Sequence, residues 1–176
     1  MLKPTHRAFN FAAVSGLILG GMCLKPEWVR VSDLLTISQQ ILLIQGGSVL
    51  AASWPDRLEI AHRGFSHSLW VVLILSGGTI ALLTHPFLFA LMSGITFGWF
   101  FHLFGDAFST AGIAWFYPIQ GYRRYESGAF CVKGHRGPFL PLYKVGDSAF
   151  SFMPKVWWVT GLLFSMGIWY RIGGLI

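Results

Sequence analysis

Six residues of this 176-residue chain have the types and positions for metal chemistry: His6, Asp56, His62, His67, His102 and Asp106. Imidazole nitrogens and carboxylate oxygens bind zinc and similar divalent ions, and no thiolate belongs to the set. His102 and Asp106 are four apart, so on a helix both side chains leave one face and can reach one ion or two neighbouring ions. Paired histidines at that spacing do the same in zinc-binding helices. His62-Arg63-Gly64-Phe65-Ser66-His67 sets two histidines five apart around a glycine, which suits a turn leading into a helix. Taken singly, each motif has an ordinary structural reading; an isolated His-x-x-x-Asp is more often a hydrogen-bonded pair than a ligand pair. What they do together depends on the elements that carry them.

Those elements are membrane helices. Hydrophobic residues make up 54% of the chain and charged residues 11%, against about 25% charged in an ordinary soluble domain. That excludes a disordered protein and leaves too few polar side chains to cover a soluble globule. Two cysteines, Cys23 and Cys131, make no disulfide scaffold. The net charge of +6 reads as loop charge that sets topology, and no nucleic-acid partner is expected. A hydrocarbon core about 30 Å thick needs about 20 apolar residues per helix. Five stretches approach this: 8–24, 34–54, 68–83, 87–104 and 156–172. Pro26 follows the first, and Trp54-Pro55 ends the second. Thr84-His85-Pro86 folds the third and fourth into a hairpin, and Pro154 suits the start of the fifth. Gly16-x-x-x-Gly20 and Gly94-x-x-x-Gly98 permit close helix approach. Lys3, His6 and Arg7 precede an apolar run as in a secretory signal, but no A-x-A-like site follows, so the first span is read as uncleaved. The expected fold is all-α: one domain over 1–176, a polytopic membrane helix bundle of four to five spans. An irregular or short-helical, aromatic-rich segment, 105–155, is expected to pack on the helix ends.

If the spans alternate, the N-terminus, the 55–67 loop and the 105–155 segment share one side, with ten Lys and Arg. Lys25, Arg30 and Arg171 fall on the other. The positive-inside rule makes the first side cytoplasmic, with the N-terminus inside; the fifth segment either crosses or lies in the interface. The same alternation brings the six candidate residues, from four separate segments, to one membrane face. Ionisable groups at membrane depth are costly, so each is a functional hypothesis by default. His85 falls in the turn on the opposite face. His135, in a basic stretch on the site side, reads either as a solvated loop residue or as a ligand for phosphate or a lipid headgroup. Gln39, Gln40 and Gln45 mark either an aqueous path or helix–helix hydrogen bonds. Cys23 and Cys131 fall on opposite sides and are not expected to pair.

An N-terminal histidine, Pro55-Asp56, the 62–68 motif His-Arg-Gly-Phe-Ser-His-Ser, Gly98 through His102 to Asp106, and Tyr117-Pro118 together resemble YdjM-type bacterial inner-membrane proteins. The resemblance covers residues 5–118. Such proteins are described as membrane-bound, metal-dependent hydrolases, and the order of candidate ligands is also similar to zinc-dependent phospholipase C. The resemblance implies metal ligation by His6, Asp56, His67, His102 and Asp106, and catalytic parts for Asp56, His62 and Arg63. The planar fork of Arg63 suits phosphate oxygens. One or two divalent ions, zinc first, are implied rather than three, because no clear His-x-x-x-Glu follows Asp106. Glu126 or Asp147 stands where the family pattern places a later glutamate. The expected activity is hydrolysis of a small phosphoester or lipid-like substrate at the cytoplasmic face through a metal-activated water, with membrane lipids as partners. The competing expectations are a non-catalytic membrane protein whose His/Asp cluster or metal is structural, a b-type haem protein, and a transporter, for which no inverted repeat is visible.

Overall fold

The computed structural model describes residues 3–24, 33–58, 64–108, 113, 115–118, 122–124, 130–132 and 152–173. Helix α1 (Lys3–Leu24) opens with Pro4 in its first turn, where the missing N–H removes no helical bond. Helix α2 (Leu34–Ala51) closes with the Ala52 N–H donating to Ser48 O at 3.0 Å. After Ser53 the chain re-forms as the four-residue helix α3 (Trp54–Arg57). The second span was expected to end at Pro55; instead it stops at Ala51, and Pro55 sits in the first turn of α3, where a proline is tolerated. A 3-10 turn (Phe65–His67) and the extended Ser68 lead into α4 (Leu69–Ala81). The turn after it, with the His85 N–H donating to Leu82 O at 2.8 Å, opens α5 (Pro86–Ala107), so the expected hairpin forms. Strands β1 (Tyr122–Arg124) and β2 (Phe130–Val132) pair antiparallel, with Arg123 opposite Cys131. Helix α6 (Met153–Gly173) follows, with Pro154 in its first turn.

Among the described residues, three helical stretches are long and apolar enough to cross a membrane: Thr5–Leu24, Leu35–Arg57 and Pro86–Ala107. The expected third span, 68–83, is carried by the apolar helix α4, whose 13 residues make about 20 Å of helix at 1.5 Å per residue, shorter than a core of about 30 Å. Its approach is spent on the 3-10 turn, which carries His67 into the bundle. Helix α6, with Lys155 and Arg171, is not among the three apolar stretches. In the segment expected to be irregular or short-helical, 105–155, α5 runs in as far as Ala107, α6 takes the end from Met153, and the described residues between them include a short strand pair. Tyr122, Phe130 and Val132 are good strand formers, which favours that outcome.

Contacts between helices fix their directions. Gln45 Nε2 donates to Ser15 Oγ at 2.9 Å, and Met22 clusters with Ile41, so α2 runs antiparallel to α1. The Thr79 and Thr96 hydroxyls meet at 2.9 Å while Val72 clusters with Trp99 and Leu103, so α4 and α5 are antiparallel. Phe9 meets Trp157, with ring centroids 5.1 Å apart, Gly161 lies against Phe11, Gly16 against Phe164 and Gly167 against Leu19. Helix α6 therefore lies lengthwise along α1 and parallel to it. Helices α2 and α5 also run parallel and almost touch through glycines: a Cβ at Gly98 would stand 2.5 Å from Ser48 O, one at Gly47 would stand 2.9 Å from Leu91 O, and one at Gly94 would strike the Ile44 backbone. Of the other small-residue pair, Gly16 faces the Phe164 ring but Gly20 has nothing within 4 Å.

The result is a bundle whose five longer helices alternate in direction. The start of α1, the end of α2 with α3, the start of α4, the end of α5 and the start of α6 gather at one end. Val72, Trp99, Leu103, Ala107 and Ile113 form an apolar cluster there, and Met22, Ile41, Ile168 and Ile172 form another at the far end. Between them, polar side chains join helices: Asn10 Nδ2 donates to Gly98 O at 2.6 Å, and Gln45 Nε2 reaches both Ser15 and Ser165. Outward faces carry exposed Leu17, Leu42, Leu73, Ile74 and Leu88, as an apolar surround requires.

Candidate metal centre

Each element delivers its ligand by a simple local rule. His102 and Asp106 leave one face of the last turns of α5, four residues apart. Asp56 stands on α3, so the break after Ala51 is what turns it inward. His67 closes the 3-10 turn, which is anchored by Trp99 Nε1 donating to Ser66 O at 2.8 Å. His6 comes from the second turn of α1 and stacks on His102, ring centroids 3.8 Å apart.

The four atoms His67 Nε2, His102 Nε2, Asp56 Oδ1 and Asp106 Oδ2 mark a small tetrahedron. The two imidazole nitrogens are 3.1 Å apart. Asp56 Oδ1 lies 3.4 Å from His67 Nε2 and 3.5 Å from His102 Nε2. Asp106 Oδ2 lies 3.7 Å from His67 Nε2 and 3.5 Å from His102 Nε2. The four residues can each offer one ligand atom with all of these within 4.8 Å of one another. Bonds of about 2.0–2.1 Å to a tetrahedral zinc ion place neighbouring ligand atoms roughly 3.4 Å apart, so the five measured edges bracket the required length.

The proton positions follow from the neighbours. His102 Nδ1 lies 2.7 Å from Ala52 O. A carbonyl only accepts, so Nδ1 carries the proton. Ser66 Oγ donates to Pro55 O at 3.1 Å, so it accepts from His67 Nδ1 at 3.2 Å. Both neutral rings therefore present a bare Nε2 to the centre, and their 3.1 Å approach is not a hydrogen bond between neutral imidazoles. It calls for positive charge between them, an added proton or a metal ion. Hydrogen bonds of this kind to the far ring nitrogen orient ligating histidines in metal sites.

Charge points the same way. His6, His67 and His102 are fully buried, Asp106 is 3% exposed and the Asp56 side chain is 17% exposed. Two carboxylates gathered in so dry a place are costly unless compensated, and one divalent cation cancels both. His6 Nε2 approaches the other oxygen of Asp106, Oδ1, at 3.4 Å, while its Nδ1 is buried without a hydrogen-bond partner. The donor set therefore fits a divalent ion held by Asp56, His67, His102 and Asp106, with His6 behind Asp106.

A family profile described as YdjM inner membrane protein matches residues 27–173. The chain belongs to the YdjM inner membrane protein family. Asp56, His67, His102 and Asp106 lie inside the matched stretch, and His6 lies ahead of it. The description agrees with the three apolar membrane-length helices. No curated protein and no solved structure matches the chain.

Of the residues singled out from sequence, the structure brings together His6, Asp56, His67, His102 and Asp106. His62, Arg63, Glu126, His135 and Asp147 lie outside the described residues. His85 is exposed at the opposite end of α5, apart from the centre as expected. Cys23 is a free, exposed thiol. Gln45 makes helix–helix hydrogen bonds, the blander of its two readings; Gln39 is exposed and Gln40 half-buried. Sequence reasoning missed Ala52, Pro55 and Ser66 as the groups that orient the two imidazoles. Ser66 had a signal, since it stands inside the histidine motif; a backbone carbonyl leaves none.

Proposed function

We propose that this member of the YdjM family is a membrane-bound, metal-dependent hydrolase acting on a phosphoester or lipid-like substrate. The observation that carries the reading is a set of four donors gathered within 4.8 Å of one another, with both imidazoles held in the tautomer that ligation needs. Zinc is the ion that this mixture of two imidazoles and two carboxylates suits best. A divalent ion here would lower the pKa of a water from 15.7 to about 7 and polarise the scissile bond. Asp56, with a side chain 17% exposed, is the most open of the four, and in this reading it accepts the proton of that water. Asp106 would hold the ion through Oδ2, which lies toward His67 and His102, while its Oδ1 faces His6. Ala52 and Ser66 hold the imidazoles in orientation throughout. The positive-inside count assigns this end of the bundle to the cytoplasmic face of an inner membrane crossed several times, where phosphoester headgroups are at hand. A likeness in ligand order to zinc-dependent phospholipase C favours the same chemistry.

Elemental analysis of purified wild type against Asp106→Ala tests this, together with turnover of bis(p-nitrophenyl) phosphate with and without chelator. The expected result is zinc in the wild type, loss in the variant, and turnover that chelation abolishes and zinc restores. Wild-type protein with no metal and no metal-dependent turnover refutes it.

One observation favours a structural ion instead: four protein donors suffice to close a tetrahedral shell, whereas catalytic zinc keeps a position open. Under that reading His102→Ala unfolds the protein, because a structural ion contributes to folding directly. Under the hydrolase reading it leaves a folded, inactive chain.

A further inference from the structure

We propose that Arg7 is the phosphate-recognising residue of the metal centre, a step that rests on the metal-dependent reading above. Arg7 follows His6 on α1 and turns toward the stretch that bears Asp56. Among the described residues its Nη2 makes a single long contact, 3.4 Å, to Ser53 Oγ. Its Nε is buried with no hydrogen-bond partner. Among the described residues no carboxylate pairs with it.

A guanidinium has five N–H donors and keeps its charge under all ordinary conditions. Near a helix end, a long cationic side chain normally extends to water or headgroups. Arg7 instead lies part-buried, with its inner nitrogen shut from water and one Nη turned to Ser53. Ser53, which Arg7 contacts, is fully buried between Ala52, which orients His102, and the helix that carries Asp56. The guanidinium thus sits against the rim of the metal centre.

The charges select the ligand. Two carboxylates and one divalent cation cancel, and neutral imidazoles add nothing. Arg7 leaves the loaded centre with a charge of +1, which an anion completes. The planar fork of a guanidinium matches two oxygens of a phosphate. Arg63, the residue that sequence suggested for this part, belongs to another segment, so the assignment to Arg7 is independent of it. A free phosphoester and a lipid headgroup share this chemistry, and the test separates them.

The full chain, purified in detergent and loaded with zinc, is titrated calorimetrically with inorganic phosphate and, separately, with dihexanoylphosphatidic acid. Wild type, Arg7→Ala and Arg7→Lys are compared, and bound zinc is measured in each. Arg7→Ala is expected to keep its zinc and to bind both probes about ten- to a hundred-fold more weakly, the scale of a hydrogen bond to a charged group. Arg7→Lys, which keeps the charge but not the fork, falls between and carries the test if the alanine variant fails to fold. Tighter binding of the lipid probe by wild type assigns the site to a headgroup; tighter binding of inorganic phosphate assigns it to a soluble ester. Equal affinities in wild type and both variants overturn the proposal, as does zinc-loaded wild type that binds neither probe. Wild type that takes up no zinc refutes the metal-dependent reading instead, and the zinc measurement tells the two failures apart.

Discussion

Gly98→Ala should disable the metal centre without touching it. The added methyl would stand 2.5 Å from Ser48 O, against the 3.4 Å at which ordinary contact begins, about 0.9 Å too close. The obstacle is helix backbone, which cannot swing aside as a side chain does, so α5 must move off α2. His102 is one turn beyond Gly98 and Ala52 one turn beyond Ser48, so the shift passes directly to their 2.7 Å hydrogen bond. Lengthened by about 0.9 Å it reaches roughly 3.6 Å, where a hydrogen bond no longer counts as one. Overpacking costs about 1–3 kcal/mol, and the lost bond about 0.5–1.5 kcal/mol more. Loss of a ligand's orienting partner weakens metal binding about 10- to 100-fold. Zinc affinity, measured by competition with a chromophoric chelator, and the melting temperature in detergent should both fall. Gly20→Ala is the control, since nothing lies within 4 Å of that position. A Gly98→Ala protein that binds zinc and melts as wild type does would refute the claim that helix proximity sets the centre.

Ser66→Ala removes the hydroxyl that links His67 Nδ1 to Pro55 O; zinc affinity should drop about 10- to 100-fold, read by the same competition assay. Gln45→Leu breaks the bonds to Ser15 and Ser165 and should cost about 0.6–1.7 kcal/mol in the membrane, measured by detergent-denaturant titration, with zinc affinity unchanged because the site is at the bundle end. Chelation of purified wild type should abolish phosphoester turnover; a large accompanying fall in melting temperature would instead favour the structural ion.

The convergence of His6, Asp56, His67, His102 and Asp106 was legible because it needs only two things: the alternation of direction from helix to helix, and the position of each residue near a helix end. Both are written in the order of apolar runs and turns. The Gly94/Gly98 stripe was legible as a motif, yet its partner was not, since Gly16-x-x-x-Gly20 reads alike and only Gly16 of that pair meets a side chain. The brevity of α4 was hidden because Ser68 to Leu83 is apolar whether it is all helix or partly a turn. Pro55 was misjudged because a proline that ends one helix can equally begin the next. Arg7 counted only as a topogenic charge, since its contact with Ser53 emerges only when α1 meets the end of α2.

Residues 52–56 hold most of the centre's alignment. Ala52 lends a carbonyl to one imidazole, Pro55 lends another through Ser66 to the second, and Asp56 supplies a donor of its own. Three of the four corners are thus gauged from five consecutive residues, two of them by main-chain oxygens that any amino acid would provide. At Ala52 and Pro55, what must be kept is path length rather than side-chain identity. Excising one residue from this bend should scatter three donors at once, where exchanging the methyl group of Ala52 would leave the imidazole's acceptor in place.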